Sequence, residues 1–318
     1  MRVLVTGASG FVGTALCPYL AVLGHDVVPT VRRPSGTAFE RVVFDDASWS
    51  AALHGCDGVV HLAGRTLEPQ SLASDSMRVF REDNVTLTIH LARRAVEAGV
   101  RRFVFMSTIK VNGEGTAPGR RFTPDDSPDP RDSYAVSKWE AEAELLELGR
   151  RTGLEVVIIR PPLVYGPGVK GNFASLIKWV RNGVPLPLGA IQNLRSMIAL
   201  ENLVSFTAVC ADFNASPDVS GQVLLPSDGE DVSTTELLCR VAKAYRSRNR
   251  LFSAPVGLMR LAARLTGKES IAERLLGSLV IDDTRTRQLV RWQPPLTMDE
   301  QLRRMARHDG VYRSAAGA

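Results

Sequence analysis

Two side chains with complementary chemistry stand four residues apart near the middle of the chain. Tyr134 and Lys138 belong to the segment YAVSK at 134–138, and the surrounding pattern predicts a helix there, so both emerge on one face. A free phenol titrates at about 10, and a neighbouring ammonium favours the phenolate. We therefore expect a lowered pKa for Tyr134, in the direction that suits a general acid or base.

Two hydroxyl groups precede this pair. A short apolar run at 102–107 predicts a strand that ends at Ser107 and Thr108. Either hydroxyl is suited to hold a substrate oxygen beside the phenol. The Tyr-x-x-x-Lys spacing is frequent by chance, so its meaning depends on the motifs around it.

A glycine-rich segment, GASGFVG at 7–13, follows the first apolar run and opens a predicted helix. Gly7, Gly10 and Gly13 allow a tight turn, close approach of the backbone to a pyrophosphate, and close packing of helix on strand. The spacing is GxxGxxG and departs from the simplest dinucleotide fingerprint. A tight turn without a ligand is the alternative interpretation, but the position between strand and helix favours a dinucleotide site.

The end of the second predicted strand bears on the choice of cofactor. Dinucleotide sites that select NAD place a carboxylate there, whereas this chain has Arg32 and Arg33. A guanidinium suits a 2′-phosphate, so we expect NADP rather than NAD, with Arg32 as the main contact. NAD remains the alternative, in which both arginines are solvated loop cations.

Apolar periodicity predicts the elements that position these residues. Short β-branched runs alternate with amphipathic stretches up to about residue 160, which indicates βαβ units and a doubly wound parallel sheet. The predicted strands are 3–6, 26–30, 41–44, 58–61, 102–107 and 155–160, and the predicted helices are 11–23, 48–54, 76–98 and 132–151. On the last helix we expect a solvent-facing row of acidic residues: Glu140, Glu142, Glu144 and Glu147.

A change in amino-acid composition marks the start of a second lobe. Proline and glycine crowd together from 161 to 168, which divides the chain into a dinucleotide-binding part at 1–165 and a substrate-facing part at 166–318. A strand near 222–226 is expected to return to the main sheet, so that the lobes interleave in sequence. Helices are predicted at about 233–246 and 256–277.

Composition limits the class of protein. The chain has 318 residues, 44% of them apolar, with a net charge of +5. Its basic residues come as scattered pairs without interleaved aromatics, so we expect no nucleic-acid partner; an anionic small molecule explains part of the excess. Four separated cysteines in apolar segments predict a reduced, cytoplasmic protein.

Two further sites are considered and set aside. Leucines alternate with cations over 251–279, as in helices that lie on membranes, but we expect this helix to pack on its own lobe and expect no membrane contact. No apolar run is long enough to span a bilayer. The five histidines show no metal-ligand spacing, so no catalytic metal is expected.

Several segments together resemble one enzyme group. Besides the glycine loop and YAVSK, they are VVHLAG at 59–64, Asn84 with Val85, IRPPLVYGP at 159–167, RSMI at 195–198, and Asn202 with Leu203. In this order they resemble the extended short-chain dehydrogenase/reductases, the NAD-dependent epimerase/dehydratase group, over nearly the whole chain. The resemblance implies an α/β Rossmann domain with a smaller, interleaved C-terminal substrate lobe, and homodimers are usual in the group.

The resemblance also implies roles for individual residues. Tyr134 would be the acid/base, Lys138 its electrostatic partner and a ribose ligand, and Thr108 the orienting hydroxyl, with Ser107 as the alternative. Asp45 or Asp46 would reach the adenine amine. The implied cofactor contacts are Gly7, Gly10, Phe11, Val12, Gly13, Arg32, Asp45, Leu62, Ala63, Gly64, Asn84, Ser107, Tyr134, Lys138, Pro161, Leu163 and Val164.

By the same resemblance, the second lobe grips a UDP-sugar. Two guanidinium groups can neutralise a diphosphate through forked, charge-assisted hydrogen bonds. A surface ion pair is the alternative for each arginine taken singly. The implied substrate contacts are Lys110, Asn112, Asn172, Phe173, Leu188, Arg195 and Arg274.

The residues after the fifth predicted strand narrow the choice of reaction. Dehydratases of the group carry an Asp-Glu pair there, whereas this chain has Ile109 and Lys110. The whole chain looks most like bacterial NADPH-dependent reductases that convert a UDP-4-keto-6-deoxy-N-acetylhexosamine to the 4-hydroxy sugar for surface polysaccharide. A UDP-hexose 4-epimerase with tightly held NAD is the alternative, and a non-catalytic dinucleotide sensor is a rival of another class.

Overall fold

A parallel sheet forms the centre of the molecule. The computed structural model describes residues 1–31, 42–43, 46–66, 76–267 and 269–311. Its seven main strands all run parallel, in the order β3-β2-β1-β4-β5-β6-β9. They are β1 (Arg2–Thr6), β2 (Asp26–Val31), β3 (Val42–Val43), β4 (Gly58–His61), β5 (Arg102–Met106), β6 (Glu155–Ile159) and β9 (Gln222–Leu224).

Helices cover both faces of this sheet, which is why its central strands are apolar on both sides. One face packs on α1 (Gly13–Val22) and α7 (Leu200–Ala211), and the other on helices from the first half of the chain. The latter are α2 (Asp46–Leu53), α4 (Leu87–Glu97) and α5 (Ser133–Thr152), and α3 (Ser76–Arg81) packs against α5. The expected α/β doubly wound architecture is confirmed.

The second lobe contains a smaller sheet of three strands, in the order β10-β8-β7. These are β7 (Leu163–Tyr165), β8 (Arg195–Ala199) and β10 (Asp231–Val232). The helices of the rest of the chain are α6 (Gly171–Arg181), α8 (Thr234–Ala244), α9 (Val256–Leu265), α10 (Glu269–Leu276), α11 (Thr284–Val290) and α12 (Met298–His308). Because β9 pairs with β6 between β8 and β10 in sequence, the chain crosses between the two sheets more than once.

Three local features differ from the sequence predictions. The single helix expected at 256–277 is two helices, with Gly267 at φ +65° between them, a conformation that favours glycine. The expected packing of this segment on its own lobe is wrong for its leucines: no residue of α9 is buried. Cys239 is exposed, whereas Cys17, Cys56 and Cys210 are buried as expected.

Within the described ranges, no helix has both the length and the apolar character needed to cross a bilayer. The same part of the chain contains no cluster of three or more His, Cys, Asp or Glu side chains arranged to hold a metal ion.

Candidate functional site

The site is formed where parallel strands end. The carboxyl ends of β1, β4 and β5 lie side by side, since Thr6 is in register with His61, and His61 with Phe105. Parallel pairing therefore gathers the glycine loop after β1, the segment after β4 and the hydroxyls after β5 at one edge. The sequence separates these segments by about fifty residues each, and only the sheet brings them together.

The glycine loop leaves no space for side chains. Gly7 adopts φ +67°, and a Cβ there would lie 2.8 Å from the Ala63 backbone nitrogen. A Cβ at Gly13 would lie 2.2 Å from the Gly7 carbonyl oxygen, and one at Gly10 3.0 Å from the same atom. No side chain caps the start of α1. The Thr14 and Ala15 amides already donate to the Gly10 and Val12 carbonyls at 3.0 and 3.1 Å, so an anion would meet the backbone just before them. The loop thus fits a pyrophosphate.

The segment after β4 contacts the second half of the site. A Cβ at Gly64 would lie 3.0 Å from Asn84 Oδ1 and 3.2 Å from Lys138 Nζ, which places the lysine beside the Leu62–Gly64 backbone. Asn84 is fully buried within a π-helical turn, Glu82–Thr86. Its side-chain amide donates to the Arg65 carbonyl at 3.1 Å and to the Ser137 hydroxyl at 3.0 Å, and its Oδ1 accepts from the Arg65 amide. Asn84 therefore fixes this backbone to α5.

The phenol of Tyr134 lies at the carboxyl edge of the sheet beside the Thr108 hydroxyl. The direction expected for its pKa is wrong: burial raises the pKa of Tyr134, the negative charge of Asp132 raises it further, and the hydrogen bond from Thr108 opposes both. The lysine is turned elsewhere, which explains the difference. At neutral pH the phenol keeps its proton.

Lys138 is buried on the same helix, and its ammonium is directed away from the phenol. Its Nζ donates to the Met106 carbonyl at 2.9 Å and lies 4.4 Å from the centre of the Phe105 ring. Burial lowers the pKa of Lys138 to about 8, against the opposing charge of Glu142. Lys138 is therefore mainly protonated at neutral pH, although its pKa lies only a little above that pH. It also contributes to keeping His61 neutral, because burial first and the Lys138 charge second lower the histidine pKa to about 3.

A buried ion pair supports the catalytic strand ends, and the sequence reasoning missed it. Glu142 was expected on the solvent side of α5, but it is 2% exposed. Its carboxylate accepts from Arg160 Nη2 at 2.5 Å and from Arg160 Nε at 3.0 and 3.1 Å, and it also accepts from the Ser107 hydroxyl. The signal was present, because Glu142 follows Lys138 by four residues and so lies on the same helix face.

Asn112 belongs to the same network rather than to an open surface. It is 3% exposed, its Oδ1 accepts from Arg160 Nη1 at 2.9 Å, and its Nδ2 donates to the Thr123 carbonyl at 3.0 Å. Both ends of the amide are therefore engaged within the protein. Ser107 likewise donates to Glu142, so Thr108 is the hydroxyl directed toward Tyr134.

Lys110 is held in an ion-pair cluster at the mouth of the site. Its Nζ contacts Asp132 and lies 2.9 Å from Glu114 Oε1. Burial lowers the pKa of Lys110, but the hydrogen bonds to Asp132 and Glu114 outweigh it and raise the pKa overall. Asp132 also caps α5 by accepting from the Ala135 amide at 2.7 Å. The cluster thus fixes the start of the helix that carries Tyr134.

The predicted contacts of the second lobe divide into two groups. Arg195 lies within the influence of Arg274: burial first, and the positive charge of Arg274 second, lower the pKa of Arg195. Arg195 Nη1 donates to the Gly277 carbonyl at 3.1 Å. Asn172 is exposed near the start of α6. Phe173 and Leu188, at 3% and 5% exposed, lie instead in the core of this lobe.

The remaining predicted cofactor contacts differ in burial and in what they pack against. Pro161 is buried, and its carbonyl accepts from the Ile109 amide at 3.0 Å, next to Thr108. Leu163 is 44% exposed and Val164 packs against the main core. Arg32 and Asp45 lie outside the described residues.

Comparisons with known proteins agree on one group. A sequence profile described as "NAD dependent epimerase/dehydratase family" matches residues 3–220. The UDP-glucose 4-epimerase of Vibrio cholerae is 39% identical over 311 residues, which cover 96% of this chain and 94% of that protein. The GDP-6-deoxy-D-mannose reductase of Pseudomonas aeruginosa is 26% identical over 313 residues, covering 95% of each.

Solved structures share the fold. The UDP-glucuronic acid 4-epimerase of Bacillus cereus in complex with NAD superposes with a TM-score of 0.78 at 20% identity, over 100% of this chain and 99% of that one. RMD from Pseudomonas aeruginosa complexed with NADPH gives a TM-score of 0.71 at 23% identity, over 96% and 98%.

Proposed function

The chain belongs to the NAD dependent epimerase/dehydratase family, and from this premise we propose that it reduces the 4-keto group of a UDP-linked sugar with NADPH. Membership makes the chain an NAD(P)-dependent enzyme of sugar-nucleotide metabolism rather than a non-catalytic sensor. The finer proposal depends on the site described above.

The fit of the dinucleotide is supported by the glycine loop, where a Cβ at Gly7 or Gly13 would meet backbone atoms. A bound nicotinamide dinucleotide would supply the hydride. Gly7, Gly10, Phe11, Val12 and Gly13 would hold its pyrophosphate through the backbone of the loop that leads into α1. Leu62, Ala63 and Gly64 would line the opposite side, where Asn84 fixes the backbone.

The single observation that carries the proposed hydride and proton transfer is a protonated phenol beside the Thr108 hydroxyl. Burial and Asp132 hold the pKa of Tyr134 above its ordinary value. A keto oxygen that becomes an alkoxide needs a proton, and a phenol that retains its proton at neutral pH can give it. Thr108 would hold the same oxygen, and Lys138 would balance the charge left on the phenolate and bind the ribose.

A diphosphate is supported at the other end of the cleft. The positive charge of Arg274 is close enough to disfavour the charge of Arg195, and an anion between the two side chains would relieve that repulsion. Asn172 is exposed near the start of α6 and would face the same ligand. Lys110 would contact substrate only if it released Asp132 or Glu114. We assign no ligand contact to Asn112, Phe173 or Leu188.

The choice of NADP rests on sequence alone. Arg32 follows β2 where an acid would repel a 2′-phosphate, and no carboxylate stands in its place. We expect a lower Kd for NADPH than for NADH, and we expect Arg32→Glu to reverse that order. Equal or tighter binding of NADH by the unaltered protein would overturn the assignment.

A 4-epimerase acting on a UDP-hexose is the second candidate, favoured by the 39% identity to the Vibrio cholerae UDP-glucose 4-epimerase. The two reactions differ in their use of cofactor. An epimerase oxidises and re-reduces one sugar, so its cofactor returns to the starting state, whereas a reductase consumes one reduced cofactor for each sugar.

One experiment separates the two candidates. The protein is given a panel of UDP-hexoses and of UDP-4-keto-6-deoxy-N-acetylhexosamines, and nicotinamide absorbance is followed with NADPH and with NADH. Stoichiometric loss of NADPH on a 4-keto sugar supports the reductase; inversion of a UDP-hexose without net absorbance change selects the epimerase. Tyr134→Phe should lose at least about a hundredfold in kcat while binding cofactor normally, and Tyr19→Phe, on an exposed helix face, should match the unaltered enzyme.

We also propose which part of the chain binds each ligand, and how two subunits assemble. Residues 1–165, together with β9, would hold the dinucleotide, and residues 166–318 the sugar nucleotide. Leu87 on α4 and Trp139 on α5 are 44% and 42% exposed. Two such helices from each subunit would form a four-helix interface, which supports a homodimer; light scattering that gives a monomer mass at micromolar concentration would contradict it.

A further inference from the structure

Helix α9 has an apolar face that points away from the protein. Leu258, Leu261 and Leu265 are 63%, 52% and 79% exposed. Their spacing of three and four residues places them in one row along the helix, and we name this row the leucine ridge. On the opposite face, Met259 packs against the core of the second lobe. A surface helix ordinarily turns its apolar side inward, so this orientation is reversed.

Neighbouring side chains extend this surface. Phe252, just before α9, is 51% exposed, and Ile271 on the following helix α10 is 41% exposed. Helix α10 packs against α9. Several large apolar side chains are therefore exposed within one part of the second lobe, and clustered exposed apolar residues mark interaction sites more often than scattered ones do.

The charge of this segment has one sign. Between Glu236 and Glu269 the sequence contains no acidic residue. It contains eight basic residues: Arg240, Lys243, Arg246, Arg248, Arg250, Arg260, Arg264 and Lys268. Arg240 is used internally, in ion pairs with Glu230 and Glu236 at 2.7 and 2.5 Å. Arg260 and Arg264 are exposed on α9 itself and stand beside the leucine ridge, and Arg264 Nε also lies 3.5 Å from Glu269 Oε1 on α10.

We propose that the leucine ridge docks on the surface of an anionic phospholipid bilayer. A helix of ten residues is too short to span a membrane, but it can lie in the interface with leucines in the acyl boundary and arginines among the head groups. A second copy of this chain is the less suitable occupant, because α9 itself carries no acidic residue and a matching α9 would bring Arg260 against another cation. This inference does not depend on the reaction proposed above.

Sedimentation with vesicles tests the proposal. The full-length protein is mixed with unilamellar vesicles of phosphatidylcholine and phosphatidylglycerol in equal parts, and with vesicles of phosphatidylcholine alone. We expect partitioning at least about tenfold stronger on the anionic vesicles at low salt, weakening as salt is added. Changing all three ridge leucines to serine should weaken partitioning by about tenfold or more. Arg260→Gln should weaken it by about fivefold.

The controls distinguish docking through the leucine ridge from nonspecific adsorption through other exposed apolar side chains. Val22→Ser combined with Leu23→Ser removes apolar residues that are 85% and 53% exposed at the end of α1, and this variant should sediment like the unaltered protein. If the triple variant melts early, Leu261→Ser alone provides the test. Equal sedimentation with both vesicle types, or unchanged sedimentation of the serine variant, would overturn the proposal. So would a halved light-scattering mass for the serine variant without any vesicle binding, which would identify a second copy as the occupant.

Discussion

The buried carboxylate of Glu142 gives the sharpest test of the structure. Glu142→Gln removes its negative charge and keeps nearly the same shape, leaving the Arg160 guanidinium, with a side chain 5% exposed, without a counter-ion. Two unit charges about 4 Å apart in an effective dielectric of about 20 interact by about 4 kcal/mol. Breaking one partner out of a buried pair costs about 3 to 5 kcal/mol by mutational experience. We therefore expect a loss of about 4 kcal/mol in the free energy of unfolding.

Urea denaturation followed by circular dichroism measures this loss. With a slope of about 3 kcal/mol per molar urea, the unfolding midpoint of Glu142→Gln should fall by about 1 to 2 M. Glu144→Gln is the matched control, since Glu144 is exposed on the same helix, and its midpoint should change by less than about 0.2 M, equivalent to about 0.5 kcal/mol.

A double variant isolates the charge effect. Adding Arg160→Gln to Glu142→Gln removes the unpaired cation, so the double variant should be more stable than the sum of the two single losses predicts. Two outcomes would refute the reasoning: a Glu142→Gln midpoint within error of Glu144→Gln, or strictly additive losses. Either would mean that Glu142 is solvated in solution and not held in this pair.

The remaining predictions concern the cofactor. Gly13→Ala should raise the Kd for NADPH by at least about tenfold, because its Cβ would lie 2.2 Å from the Gly7 carbonyl oxygen. Gly257→Ala is the control, since a Cβ there meets nothing within 4 Å and the backbone is not left-handed; equal Kd values for the two variants would contradict the loop assignment. Affinity for NADPH should also fall as the pH rises through about 8. The pKa of Lys138 is lowered to about 8, so above that pH the side chain loses the positive charge that attracts an anionic ligand. Lys138→Met should abolish this pH dependence, and Glu142→Gln should move it to lower pH because the carboxylate raises the lysine pKa; an unchanged pH profile in both variants would contradict the role assigned to Lys138.

Local pattern was enough to predict most of the sheet. β1, β2, β4, β5 and β6 agree with the predicted strands to within one residue at each end, because buried parallel strands read as short apolar runs bounded by turns. Position after a strand likewise identified the glycine loop without reference to contacts. These features depend on residues close together in the chain.

The sequence by itself thus determined the elements, the phosphate loop, and the pairing of Tyr134 with Lys138 on one helix face. Tertiary structure decided how those groups are charged. Burial raises the pKa of Tyr134, whereas the sequence predicted a lowered one. Glu142 points inward and pairs with Arg160, which follows β6 and lies eighteen residues further along the chain. The reason is physical: solvent exclusion and ion pairing depend on which elements pack together, and spacing along a single element does not contain that information.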